Sequence, residues 1–115
     1  MEILTYILQG ILVIMFLFAG FGKVMGLKAH MEAFDHLRLP QWFRIVTGIV
    51  ELAGAALLIF GYWASTFATA GALIFAITGA GGILSHIRVK DSLKDTAMIT
   101  FLTILSVVVF IHYVQ

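Results

Sequence analysis

A chain of 115 residues has room for one domain. At 62% hydrophobic and 11% charged, it carries more apolar surface than a water-soluble domain of this size can hide. A net charge of +1 offers nucleic acid no polycationic surface, and the absence of cysteine removes disulfides, thiolate metal sites and thiol redox chemistry.

Four apolar runs, at about 3–24, 42–62, 65–86 and 94–114, each approach the ~20 residues that a membrane-spanning helix needs. Continuous runs of that length argue for helices, because a spanning segment must satisfy its own backbone. The expected fold is therefore all-α: a single domain over residues 1–115, built as a four-transmembrane-helix bundle.

The first run ends in Gly22, Lys23 and Gly26. After it, Leu27, Met31, Phe34 and Leu37 recur at helical spacing opposite Lys28, Glu32, Asp35 and Arg38. This predicts a short amphipathic interfacial helix between the first two spans, stopping at Leu39 because Pro40 disfavours helical backbone before it. Glu32 and His36 share one face, but no third ligand converges with them, so no metal site is expected.

The second run, RIVTGIVELAGAALLIFGYW, contains one acid, Glu51. A charge near the centre of a spanning helix costs roughly 2.5–3.5 kcal/mol on insertion scales. Such a group normally faces the bundle interior and marks a function. Counting from Arg44 places Glu51 roughly 10 Å below the surface at which Lys23 and His86 end their helices. Lys23, Glu51 and His86 are thus the candidates for ligand binding or proton exchange. Two alternatives stay open. Lys23 either pairs with Glu51 or reaches the headgroups, and Glu51 is either a functional acid or a protonated structural one. Phe16, Phe18 and Phe21 are candidate apolar walls for the site.

Small residues at packing intervals suit close helix contacts: Gly20 and Gly22 in the first span, Gly54 and Gly61 in the second, and Ala72, Ala76 and Gly79 in the third. Thr96, Thr100, Thr103 and Ser106 run down one face of the last span, placed for hydrogen bonds to a neighbouring helix. Ser92 and Asp95 form a capping pair before it.

All seven basic residues fall in the first and third loops or at their edges. By the positive-inside rule those loops are cytoplasmic and both termini lie outside the cell membrane.

The segments FLFAGFGKVMG and LRLPQWFRIVTGIVELAGAALLIFGYWAS, with the His86 ending of the third span, resemble the DoxX-like membrane proteins. The shared features are Ala19, Gly20, Gly22 and Lys23, then Glu51, Gly54, Leu58 and Gly61. The resemblance implies a compact four-helix membrane protein with a loose link to membrane redox chemistry and oxidative stress. It suggests a redox-associated subunit or accessory protein rather than an enzyme on its own. A quinone-like or other amphipathic molecule would bind near Glu51. The expected partners are the lipid bilayer and either a second copy in a homo-oligomer or a membrane redox enzyme. Related eukaryotic proteins act in assembly, so a scaffold with no small-molecule ligand is the alternative. A small proton-coupled exporter fits less well, because those proteins carry their acid in the first span.

Overall fold

A computed structural model describes residues 2–115, so the first residue of the expected domain lies outside the described part. Five helices follow one another: α1 (Glu2–Met25), α2 (Lys28–His36), α3 (Gln41–Phe60), α4 (Ser65–Arg88) and α5 (Leu93–Val114). All but α2 are long and apolar enough to cross a membrane. Their outward faces carry large apolar side chains, such as Ile14, Phe18, Ile49, Ile77 and Ile104. That surface is too extensive for water and suits a bilayer.

Going round the bundle, α1 packs on α3, α3 on α4, α4 on α5, and α5 closes back more sparsely onto α1. Leu12, Phe16, Leu58, Phe75 and Val109 fill the centre, and the Phe16 ring stacks on Phe75 at 3.8 Å. Phe16 therefore belongs to the core.

Glycine contacts explain how the helices diverge. Near the Tyr62–Ala64 turn, α3 and α4 are tight. A Cβ at Gly61 would meet the Ala68 backbone at 2.6 Å, and one at Gly71 would meet the Gly54 carbonyl at 2.9 Å. Towards the other end each helix changes neighbour. There α3 crosses α1, where a Cβ at Gly48 would lie 2.8 Å from the Gly20 carbonyl. At that end α4 closes on α5, with Gly79 against Thr103 and Gly82 against Ile99. The α3–α4 pair thus opens like a V towards the end that holds the basic residues. Of the other expected packing residues, Ala72 is buried in the core and Ala76 half-buried. Gly22 makes room for the His30 ring of α2, not for another span.

At the basic end α1, α2 and α4 all finish in the same way. In each, the second residue beyond the cap donates to the carbonyl five back: Leu27 to Gly22, Leu39 to Phe34 and Asp91 to His86. The intervening residue adopts left-handed backbone. It is Gly26 in one case but Arg38 (φ 59°) and Lys90 (φ 61°) in the others. For those two the conformation costs roughly 1–2 kcal/mol. This turn ends α2 at His36, short of the expected Leu39.

Of the apolar face expected on the interfacial helix, Phe34 and Leu37 are buried against the bundle, while Leu27 and Met31 stay on the outer surface. One further expectation changes. The hydroxyls of Thr96, Thr103 and Ser106 do not bridge helices. Each donates to a carbonyl of its own chain three or four residues back, which satisfies it without a partner helix. The expected cap of α5 is present, with Asp95 N donating to Ser92 Oγ at 3.3 Å.

Candidate functional site

The opening V encloses a cavity of about 500 Å³. Its sides are α3 (Phe43, Val46, Val50) and α4 (Ile77, Gly81, Ser85), and it is covered by Phe34 of α2 and by Leu37 just beyond that helix. Lys23 of α1, Glu51 of α3 and His86 of α4 all line it. Three spans bring these residues together because α3 sits against α1 at Gly48, one turn before Glu51.

Lys23 Nζ lies 2.9 Å from Glu51 Oε1, with the side chains 14% and 4% exposed. The distance is that of a close ion pair between two largely buried groups. Oε1 itself is fully buried, so a hydrogen bond from another molecule falls to the other oxygen of the carboxylate. Of the two sequence alternatives for Lys23, this geometry is the paired one.

His30 joins the site from α2. Its ring lies against Gly22 and lines the cavity. Burial, then the positive charges of Lys23 and Arg44, hold its pKa below the usual histidine value, so the ring is neutral at neutral pH. The sequence held a signal for this, since His30 is four residues before Phe34 and shares its face.

His86 is anchored from behind. Its Nδ1 lies 2.6 Å from Asp91 Oδ2, and His36 Nε2 lies 2.7 Å from Asp91 Oδ1. Asp91 thereby ties α2 to the end of α4, and the hydrogen bonds from His36 and His86 hold its pKa below the ordinary aspartate value. With Nδ1 engaged, Nε2 is the nitrogen of His86 left for other partners.

Arg44, read from sequence only as a loop charge, is buried. Its Nε donates to Gln41 Oε1 at 2.7 Å, and its Nη1 donates to the Lys23 carbonyl at the end of α1. Arg88 does the same for α2, donating to the carbonyls of Leu37 and Arg38. At the far end of the bundle Gln9 is fully buried. It donates to the Leu58 carbonyl at 2.7 Å and accepts from the Tyr113 hydroxyl.

Phe18 and Phe21 do not wall the cavity. They project outward and, with Ile14, Leu17 and Leu52, line a separate apolar groove of about 440 Å³ on the α1–α3 surface. Among the described residues no three His, Asp or Glu side chains are grouped to hold a metal ion.

A family model described as the DoxX-like family matches residues 7–109, which takes in every residue of the cavity. The chain is 34% identical over 82 residues to the uncharacterized protein YdgD of Bacillus subtilis (strain 168), covering 70% of this chain and 72% of that protein. No solved structure matches.

Proposed function

The chain belongs to the DoxX-like family, and from that premise we propose that it is a redox-associated membrane protein binding a quinone-like, amphipathic small molecule beside Glu51. The observation that carries this reading is the cavity itself. It is mostly apolar along α3 and α4, apart from the hydroxyls of Thr47, Thr78 and Ser85, and it is lined by the ionisable side chains of Lys23, Glu51, His30 and His86. Ligand sites commonly combine a mostly apolar lining with a few convergent polar groups. A quinone carbonyl accepts hydrogen bonds from Lys23 or a histidine, and a quinol hydroxyl donates to the Glu51 carboxylate. His86, with Nδ1 held by Asp91, has Nε2 as the ring nitrogen that can pass a proton to or from the ligand. The chain is an accessory or subunit here, and electrons come from a partner enzyme.

Binding of a decyl-tailed ubiquinone to the purified chain in lipid nanodiscs tests the reading. Saturable binding that is lost in Glu51→Gln supports it. No binding above that of empty nanodiscs at saturating quinone overturns it.

A second reading is an assembly or scaffold protein without a small-molecule ligand. The outward groove at Phe18, Phe21 and Leu52 favours it, since a partner helix or a second copy fits such a surface. Stoichiometric co-purification of a redox enzyme, lost when Phe18 is made Ala and indifferent to Glu51→Gln, would select it.

In both readings the basic end faces the cytoplasm and both termini lie outside the cell membrane, in keeping with the distribution of positive charge.

A further inference from the structure

The cavity is not closed off from the membrane. Val46 and Val50 on α3 and Ile77 on α4 line it and are also exposed, Ile77 by 64%. Exposed apolar residues on spanning helices face acyl chains. One side of the cavity therefore opens between α3 and α4, where the two helices have parted company for α1 and α5.

Gly81 stands at this opening. Every other glycine has an atom within 4 Å of where a Cβ would be, and most would collide. At Gly81 a Cβ meets nothing. Glycine within a helix lowers its stability, and no packing neighbour here requires one. What a side chain at this position would fill is the mouth of the cavity.

At the inner end, Lys23 and Glu51 cancel each other's charge, and His30 is neutral at neutral pH. Among the residues that line the cavity, an ionic group would find no unpaired counter-charge, since Arg44 is turned away to Gln41 and the Lys23 carbonyl. A carbonyl or hydroxyl would find hydrogen-bonding partners of both kinds.

We propose that the ligand enters sideways from the bilayer, through the α3–α4 opening past Gly81. It seats a neutral hydrogen-bonding head against Lys23, Glu51 and the histidines and leaves its hydrocarbon chain in the membrane. The inference rests on the pocket reading above and adds a route, a charge class and a need for a chain. The chain keeps the molecule in the bilayer at the depth of the opening, so a tailless head should bind more weakly.

The test uses the full chain in phosphatidylcholine nanodiscs, with binding counted above that of empty discs. Three probes are compared: decyl-tailed ubiquinone, the same ring without its tail, and decyl phosphate. Gly81→Phe places a ring in the mouth, Gly81→Leu repeats the block with a smaller side chain should the first variant misfold, and Gly81→Ala leaves the mouth open. The expected result is that decyl-ubiquinone binds wild type and Gly81→Ala alike. Its affinity should fall about tenfold or more in Gly81→Phe or Gly81→Leu. The tailless ring and decyl phosphate should each bind wild type about tenfold more weakly or worse.

If decyl-ubiquinone binding is lost in Glu51→Gln but unchanged in the blocked variants, the lateral route is overturned and the pocket reading survives. Equal binding of decyl phosphate overturns the neutral-head assignment, and equal binding of the tailless ring overturns the need for a chain. If wild type binds no quinone with or without a tail, the pocket reading falls and this inference falls with it.

Discussion

Gly20 and Gly48 face each other across α1 and α3, and each carbonyl occupies the space where the other residue's Cβ would be. The approach also leaves the Lys23 Cβ only 2.8 Å from a Cβ built at Gly48. Gly48→Ala should therefore force the helices apart at a point where backbone cannot yield. Overpacking of this kind costs about 1–3 kcal/mol. Thermal unfolding in one detergent should show a clear drop in Tm for Gly48→Ala. Gly81→Ala, with open space around it, should be neutral or stabilising by up to about 1 kcal/mol.

The Lys23–Glu51 pair predicts an asymmetric double-mutant cycle. Lys23→Met strands a carboxylate with its side chain 4% exposed, and breaking a buried pair costs about 3–5 kcal/mol. Glu51→Gln should cost less, because the longer, more exposed Lys23 has the reach to snorkel towards the headgroups. The double variant should recover most of the loss. Additive single effects in the unfolding cycle would show that the two residues do not interact.

Gln9 has the same standing at the opposite end. Its amide joins α1 to α3 through Leu58 and to α5 through Tyr113. Gln9→Leu should destabilise by about 1–3 kcal/mol, and Tyr113→Phe by about 1 kcal/mol. Both should leave quinone binding unaltered, which separates this network from the cavity.

The pH dependence follows from His30. Its folded pKa lies below the ordinary histidine value, so the folded chain binds fewer protons than the unfolded one across that interval. Stability is intact above the ordinary value and falls as the pH drops through it towards the folded pKa. Acidification should loosen α2, read as faster amide exchange over residues 28–36. His30→Gln should flatten the slope between roughly pH 7 and 5.

The lack of cysteine makes the orientation directly measurable. In right-side-out cells, Lys28→Cys should resist a membrane-impermeant maleimide until the membrane is permeabilised. Gln115→Cys should react at once. The reverse pattern would place the basic end outside.

The spans were readable because each is a long apolar run with its own start and stop, and Glu51 was conspicuous because so little around it is polar. The convergence on Glu51 could be anticipated from counting alone, since Lys23 and His86 end their helices at the same level. The choice of walls could not. Phe18 and Phe21 look inward only if the rotation of α1 is guessed, and that rotation is fixed by Gly20 against Gly48 rather than by any aromatic residue. The apolar stripe of α2 does not tell which part of it packs on the protein: Phe34 and Leu37 are buried, Leu27 and Met31 are not, and His30 turns towards Gly22. Hydroxyls down one face of α5 suggest bridges between helices, but those of Thr96, Thr103 and Ser106 are satisfied by their own backbone. Asp91, in a loop full of charge, gave no sign of being shared by two histidines.

Arg44 and Arg88 each close a helix other than their own, meeting carbonyls at the ends of α1 and of α2. Two of the seven cations at this end are thus mortar as well as signposts. An engineer who wished to insert the chain upside down could not simply transplant its arginines to the other rim. The joints they seal would come apart before the new orientation was ever tried. The exposed lysines, Lys28, Lys90 and Lys94, are the charges to move first.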